Sequence, residues 1–224
     1  LIKPVFIFLL LRRKTLVFNL PVTNANITSI PTITPAVLSA KQISIKSQDG
    51  KHICKQTNFC IKPGEIWGIL GVNGCGKTTL LHSLAQLQSL ASGHIFLNDT
   101  DITLLDSQMM ARSIAILLQQ QQMMFPQSVL DYCLAARFPH STSELENLNI
   151  VKNALRTMDL LHLQNKNILQ LSGGEQRRAA IACLLAQTPS IYLLDEPINH
   201  LDITHQHQLL QHLQYLATNQ AAIV

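Results

Sequence analysis

Three short stretches carry residue types whose spacing can do chemistry. The first, "GVNGCGKTT" at residues 71–79, fits G-x-x-x-x-G-K-[ST] and lies between an apolar run and a run with helical spacing. Glycines such as Gly71, Gly74 and Gly76 let the main-chain amides from Asn73 through Cys75 to Lys77 curl around an anion without side-chain clashes. A helix starting there adds the positive end of its dipole. Lys77 can reach the β- and γ-phosphate oxygens, and the hydroxyl of Thr78, followed by Thr79, can ligate Mg²⁺. The second stretch is "IYLLDEP". Its apolar run ends in Asp195 and Glu196, two acids at the carboxyl end of a buried strand, where parallel sheets place their ligands. Asp195 is positioned to hold magnesium, and Glu196 to orient or deprotonate an attacking water.

The third stretch is "LSGGEQRRAA" at residues 171–180. Alone, Ser172 followed three residues later by Glu175 is a capping box that satisfies orphan amides at a helix start. Beside two phosphate-handling motifs it says more. The loop at residues 71–79, the stretch LSGGE, and the acidic strand end followed by Pro197 and "NHLD" together resemble the ATP-binding-cassette ATPases of membrane transporters. The resemblance covers residues 38–224.

That resemblance implies an α/β P-loop NTPase with a mixed, mainly parallel sheet, an antiparallel β part at the N-terminus, and a helical subdomain at about 120–170. It implies that Ser172, Gly173 and Gly174 cap the γ-phosphate of ATP held by a second subunit, so that a head-to-tail homodimer completes each site. It carries Gln119, after the strand "IAILL", onto the family's Mg²⁺-sensing glutamine. Gln120 to Gln122 leave that assignment open by a residue. Asp202 falls in the loop that speaks across the dimer. ATP and Mg²⁺ are the implied cofactors. The implied partners are a transmembrane permease and, indirectly, a periplasmic binding protein, with the chain peripheral on the cytoplasmic face of the bacterial inner membrane. "ARFPH" and "LDITHQHQLL" resemble the importers of iron-siderophores, haem and cobalamin.

Two departures stand out. Ser47, Gln48 and Asp49 offer no aromatic ring where the family stacks adenine. The family's switch histidine follows the strand that "AAIV" begins, and the sequence stops at Val224, so a truncated C-terminus and a non-hydrolysing cassette form one alternative. A cassette ATPase acting in DNA repair or translation, with no membrane partner, forms another. His205 and His207 lie two apart, on different faces of a helix, and are expected to be solvated rather than metal ligands. Cys75 is expected to be a tolerated small side chain, though its thiol is a conceivable site of alkylation.

The elements that must hold these motifs follow from periodicity. Short alternating runs around Ile43, Ile45, Ile53, Phe59 and Ile61 flank the turn "SQDGK" and read as an antiparallel pair. "EIWGIL", "IAILL", "IYLLD" and "AAIV" read as strands alternating with helices, which implies a largely parallel sheet. Leu80, Leu84, Leu87 and Leu90 share a helical face, predicting one helix through residue 90. "NIVKNALRTMDLLHL", "EQRRAAIACLLAQ" and "HQHQLLQHLQYLA" read as further helices.

Composition excludes some classes. The net charge of +4 is accounted for by Lys3, Arg12, Arg13 and Lys14, so the rest of the chain is neutral and shows no basic stripe for nucleic acid. Five scattered cysteines without a C-x-x-C pair argue for reduced thiols. The apolar run "VFIFLLL" is too short to span a bilayer. Residues 1–37 are expected to be a disordered extension, or sequence upstream of a true start near Leu38.

Overall fold

Four short apolar runs build the sheet that carries the site. In this computed structural model, which describes residues 33–47, 50–119 and 123–224 together with the backbone of 7–11, β4 (Ile66–Leu70), β7 (Ile114–Leu117), β8 (Ile191–Leu194) and β9 (Ala222–Ile223) lie side by side. The order is β4-β9-β8-β7, all parallel. β8 is flanked by β9 and β7, and Ile191, Tyr192 and Leu193 are fully buried, as a strand covered on both faces requires. Because the strands are parallel, Gly71, Gln119 and Asp195 all emerge at the same carboxyl edge.

On the outer edge of β4 runs β1 (Ile7–Leu11), antiparallel, pairing Ile7 with Leu70 and Leu11 with Ile66. Ile33 and Ala36 are buried. The folded body therefore takes in residues 33–37 ahead of Leu38; residues 1–6 and 12–32 of the expected extension lie outside the described residues. An apolar segment beside an open sheet edge gains a ladder of main-chain hydrogen bonds, which composition alone does not reveal.

A second, antiparallel sheet has the order β3-β2-β5-β6. β2 (Leu38–Lys46) and β3 (His52–Ile61) form the expected pair. β5 (Ser92–Leu97) and β6 (Thr100–Asp101) form a hairpin that the sequence reading passed over. Its two-residue turn, Asn98-Asp99, has φ of +48° and +66°, the doubly left-handed geometry that matches strand twist.

α1 (Lys77–Leu84) stops earlier than predicted, and Leu87 is 60% exposed. The Gln86 amide bonds Ser83 O and the Leu87 amide bonds His82 O, with Gln86 at φ +60°. This is a left-handed C-terminal cap formed without glycine, so no residue type announced it.

The helical part comprises α2 (Ser107–Ser113), α3 (Val129–Leu134), α4 (Glu144–Thr157) and α5 (Gly173–Gln187), followed later by α6 (Ile203–Thr218). Within residues 128–170 the helical content is α3, α4 and three 3-10 turns. Ser143 caps α4, and Ile150, Val151, Ala154 and Leu155 form its buried stripe. α3 and α4 pack on α5, whose Ala179, Ile181 and Ala182 are buried on several faces. Among the described residues no helix is long and apolar enough to cross a membrane.

Candidate nucleotide site

The loop after β4 is shaped by two glycines in the left-handed region, Gly74 at φ +75° and Gly76 at φ +101°. A Cβ on Gly76 would lie 2.5 Å from Ile53 Cγ2, so both backbone conformation and contact demand glycine there. The Lys77 ammonium donates to Gly71 O at 2.9 Å and Val72 O at 3.3 Å, folding back over its own loop. The Cys75 amide bonds Val72 O and its side chain is buried, which fits the small-residue expectation and withdraws the thiol from reagents.

Two long-range contacts join this loop to the other strand ends. The Thr78 hydroxyl donates to Asp195 Oδ2 at 2.5 Å. Asp195 is only 3% exposed and its amide bonds Leu117 O. Next to it Glu196 sits at φ +47°, and its Oε2 accepts from Gln119 Nε2 at 2.7 Å and from Asn199 Nδ2 at 2.6 Å. The structure thus brings Thr78, Gln119, Asp195 and Glu196 together, and adds Asn199, which pattern reading had placed only in a loop. Hydroxyl, carboxylate and amide oxygens at one edge suit a hard cation such as Mg²⁺.

Ser172 caps α5 as a full capping box: its Oγ accepts from the Glu175 amide, and Glu175 Oε2 accepts from the Ser172 amide at 2.7 Å. The Ser172 amide and hydroxyl hold the Glu175 carboxyl below its usual range. Ser172 and Gly173 are exposed, and a Cβ on Gly173 would meet open space. No hydrogen bond among the described residues links Ser172, Gly173 or Gly174 to residues 71–79 of the same chain. Ser172 and Gly173 therefore form an exposed corner at the start of α5.

Asp202 caps α6 through the His205 amide at 2.9 Å, and also accepts from His205 Nδ1 at 2.7 Å. The opposite ring nitrogen, Nε2, accepts from Arg178 at 2.6 Å. His205 is thus engaged at both nitrogens and 17% exposed, which corrects the expectation of a solvated side chain. His207 instead meets Gln211. Among the described residues no group of three His, Cys, Asp or Glu side chains forms a metal cluster. Ser47 is half-buried at the β2–β3 turn, while Gln48 and Asp49, part of the missing adenine platform, lie outside the described residues. Sequence spacing also missed Arg177, whose guanidinium is buried beneath the Gln119 and Asp195-Glu196 loops; nothing in the sequence sets it apart from its neighbour Arg178.

Comparison with known proteins identifies the family. The sequence profile described as "ABC transporter" matches residues 54–199. The chain belongs to the ABC transporter family of ATPases. It is 35% identical over 173 residues to the petrobactin import ATP-binding protein of Bacillus subtilis (strain 168), covering 76% of this chain and 69% of that one. It is 38% identical over 172 residues to the ferric enterobactin transport ATP-binding protein of Escherichia coli (strain K12), covering 75% and 64%. It spans about two thirds of the length of these relatives. Among solved structures, a dimeric bacterial ABC transporter cassette superposes with a TM-score of 0.72 at 25% identity, covering 84% of this chain and 86% of that one.

Proposed function

We propose that this chain is the ATP-hydrolysing subunit of a membrane importer for an iron chelate, a siderophore or haem, and that two copies work head to tail against a permease. The observation that carries it is the joining of the Lys77 loop, the Thr78–Asp195 pair and the Gln119–Glu196–Asn199 cluster at one sheet edge, while Ser172 and Gly173 face outward. The iron-chelate cargo is supported by the printed names of the relatives.

In this reading the amides of residues 73–77 and the Lys77 ammonium hold the β- and γ-phosphates. Thr78, Asp195 and Gln119 would hold Mg²⁺, which neutralises charge on those oxygens when bound. Glu196 accepts the proton of the attacking water, and Gln119 and Asn199 aim its carboxylate. Ser172, Gly173 and Gly174 donate to the γ-phosphate held by the other copy, with α5 adding its dipole. A periplasmic binding protein would deliver cargo, and the subunit would sit on the cytoplasmic face of the inner membrane. A neutral body without a basic stripe favours this over a nucleic-acid-linked cassette.

The test is Mg-ATP turnover by the purified chain and by Glu196→Gln. Loss of turnover with retained ATP binding supports the assignment; equal rates overturn it.

A further inference from the structure

The two arginines that follow Ser172–Glu175, Arg177 and Arg178, are neighbours in α5, so a helical turn of 3.6 residues points them about 100° apart. Arg178 leaves toward His205 and the Met158 carbonyl. Arg177 turns inward and is 6% exposed. Its guanidinium forks between two loops. Nη1 donates to Leu118 O at 2.6 Å and stands 3.5 Å from Gln119 O; Nη2 donates to Asp195 O at 3.2 Å and Glu196 O at 2.9 Å.

We propose that Arg177 is a positioning residue, clamping the segment that carries Gln119 to the turn that carries Asp195 and Glu196 and fixing both to the helix that begins at Ser172. The proposal rests on the reading of this edge as the nucleotide site.

Three observations separate a clamp from mere filling. Strand-end carbonyls beyond β7 and β8 have no further ladder partner, and the planar fork is the side chain able to serve both at once. Arg177 Nε is buried without a hydrogen-bond partner, so the residue carries a cost that an apolar side chain of similar volume would avoid. Glu196 holds a left-handed backbone at φ +47°, a conformation that persists only where the surroundings impose it, and the Arg177 bond to its carbonyl is part of that imposition. Burial lowers the Arg177 pKa while the Asp195 and Glu196 carboxylates raise it, so the cation also lies in their field. The corner that would face a partner's nucleotide and the acids at its own site then move as one piece.

The experiment compares the whole chain with Arg177→Ala and Arg177→Lys. Amide hydrogen exchange is first measured without nucleotide. The expected result is faster exchange in the two reporters of these loops, the Asp195 amide (bonded to Leu117 O) and the Asn199 amide (bonded to Glu196 O), with α1 unchanged. With Mg-ATP, kcat is expected to fall about tenfold or more in Arg177→Ala while KM for ATP stays within about threefold. Arg177→Lys keeps the charge but not the fork, and is expected to recover only part of both signals. If Arg177→Ala does not fold, Arg177→Lys decides by the same two readouts. Local exchange like wild type, exchange that rises evenly over the chain, or a lysine variant equal to wild type overturns the clamp. Absence of Mg-ATP binding by the wild-type chain would sink the nucleotide reading instead, and the exchange arm still judges Arg177.

Discussion

The Thr78 hydroxyl donates to the Asp195 carboxylate across 2.5 Å, joining residues 117 positions apart in the chain. One is the second residue of α1 and the other lies just past β8, so this bond fastens the phosphate loop to the acidic strand end. It also satisfies a carboxylate that is almost wholly buried. Replacing Thr78 by Val leaves that carboxylate without the donor. The expected outcome is a loss of roughly 1–3 kcal/mol in stability, read by denaturant unfolding, with Thr78→Ser near wild type. Magnesium titration of ATP binding should shift to higher Mg²⁺ in Thr78→Val and not in Thr78→Ser.

Glu196 Oε2 accepts two amide donors, from Gln119 and Asn199. Together they hold the carboxylate in one orientation. Asn199→Ala should therefore lower kcat about tenfold with little change in KM for ATP, since aiming a base affects the reacting complex more than binding. The check is steady-state ATPase kinetics. A change confined to KM would place Asn199 in nucleotide binding instead.

His212 on α6 is buried beside Tyr215, and burial pushes its pKa from 6.5 down to about 4. Unfolded chain binds a proton there below about 6.5, whereas the folded chain resists it until about 4. The proton-binding excess thus lies with the unfolded state, so stability contributed by neutral His212 is present above 6.5 and is lost as pH falls toward 4. The loss is on the order of 3 kcal/mol at most. Urea unfolding of wild type and His212→Gln at several pH values checks it: the wild-type slope between pH 6.5 and 4 should be the steeper.

Much of this was legible in sequence because it is local. Residues 71–79 specify a loop by glycine placement, Ser172 and Glu175 specify a helix start, and an apolar run ending in two acids specifies a strand end. The Asn98-Asp99 hairpin turn is equally local, since Asn and Asp are the residue types that most readily take its left-handed geometry. The end of α1 was not legible, because Gln86 takes a left-handed conformation that its residue type does not favour. Nor were Arg177 and His205. Their partners are 18 to 59 residues away for Arg177 and 27 for the Arg178–His205 contact, and such pairings are set by how elements pack rather than by spacing along the chain.

In the proposed dimer, the exposed Ser172–Gly173 corner of one copy closes on the Lys77 loop of another around Mg-ATP. Sedimentation of Glu196→Gln with and without Mg-ATP tests it most directly. The expected result is a monomer that becomes a dimer on adding Mg-ATP, and loss of that dimer when Ser172→Arg is added. A Glu196→Gln chain that binds Mg-ATP and remains monomeric, or whose dimer is indifferent to Ser172, would contradict it.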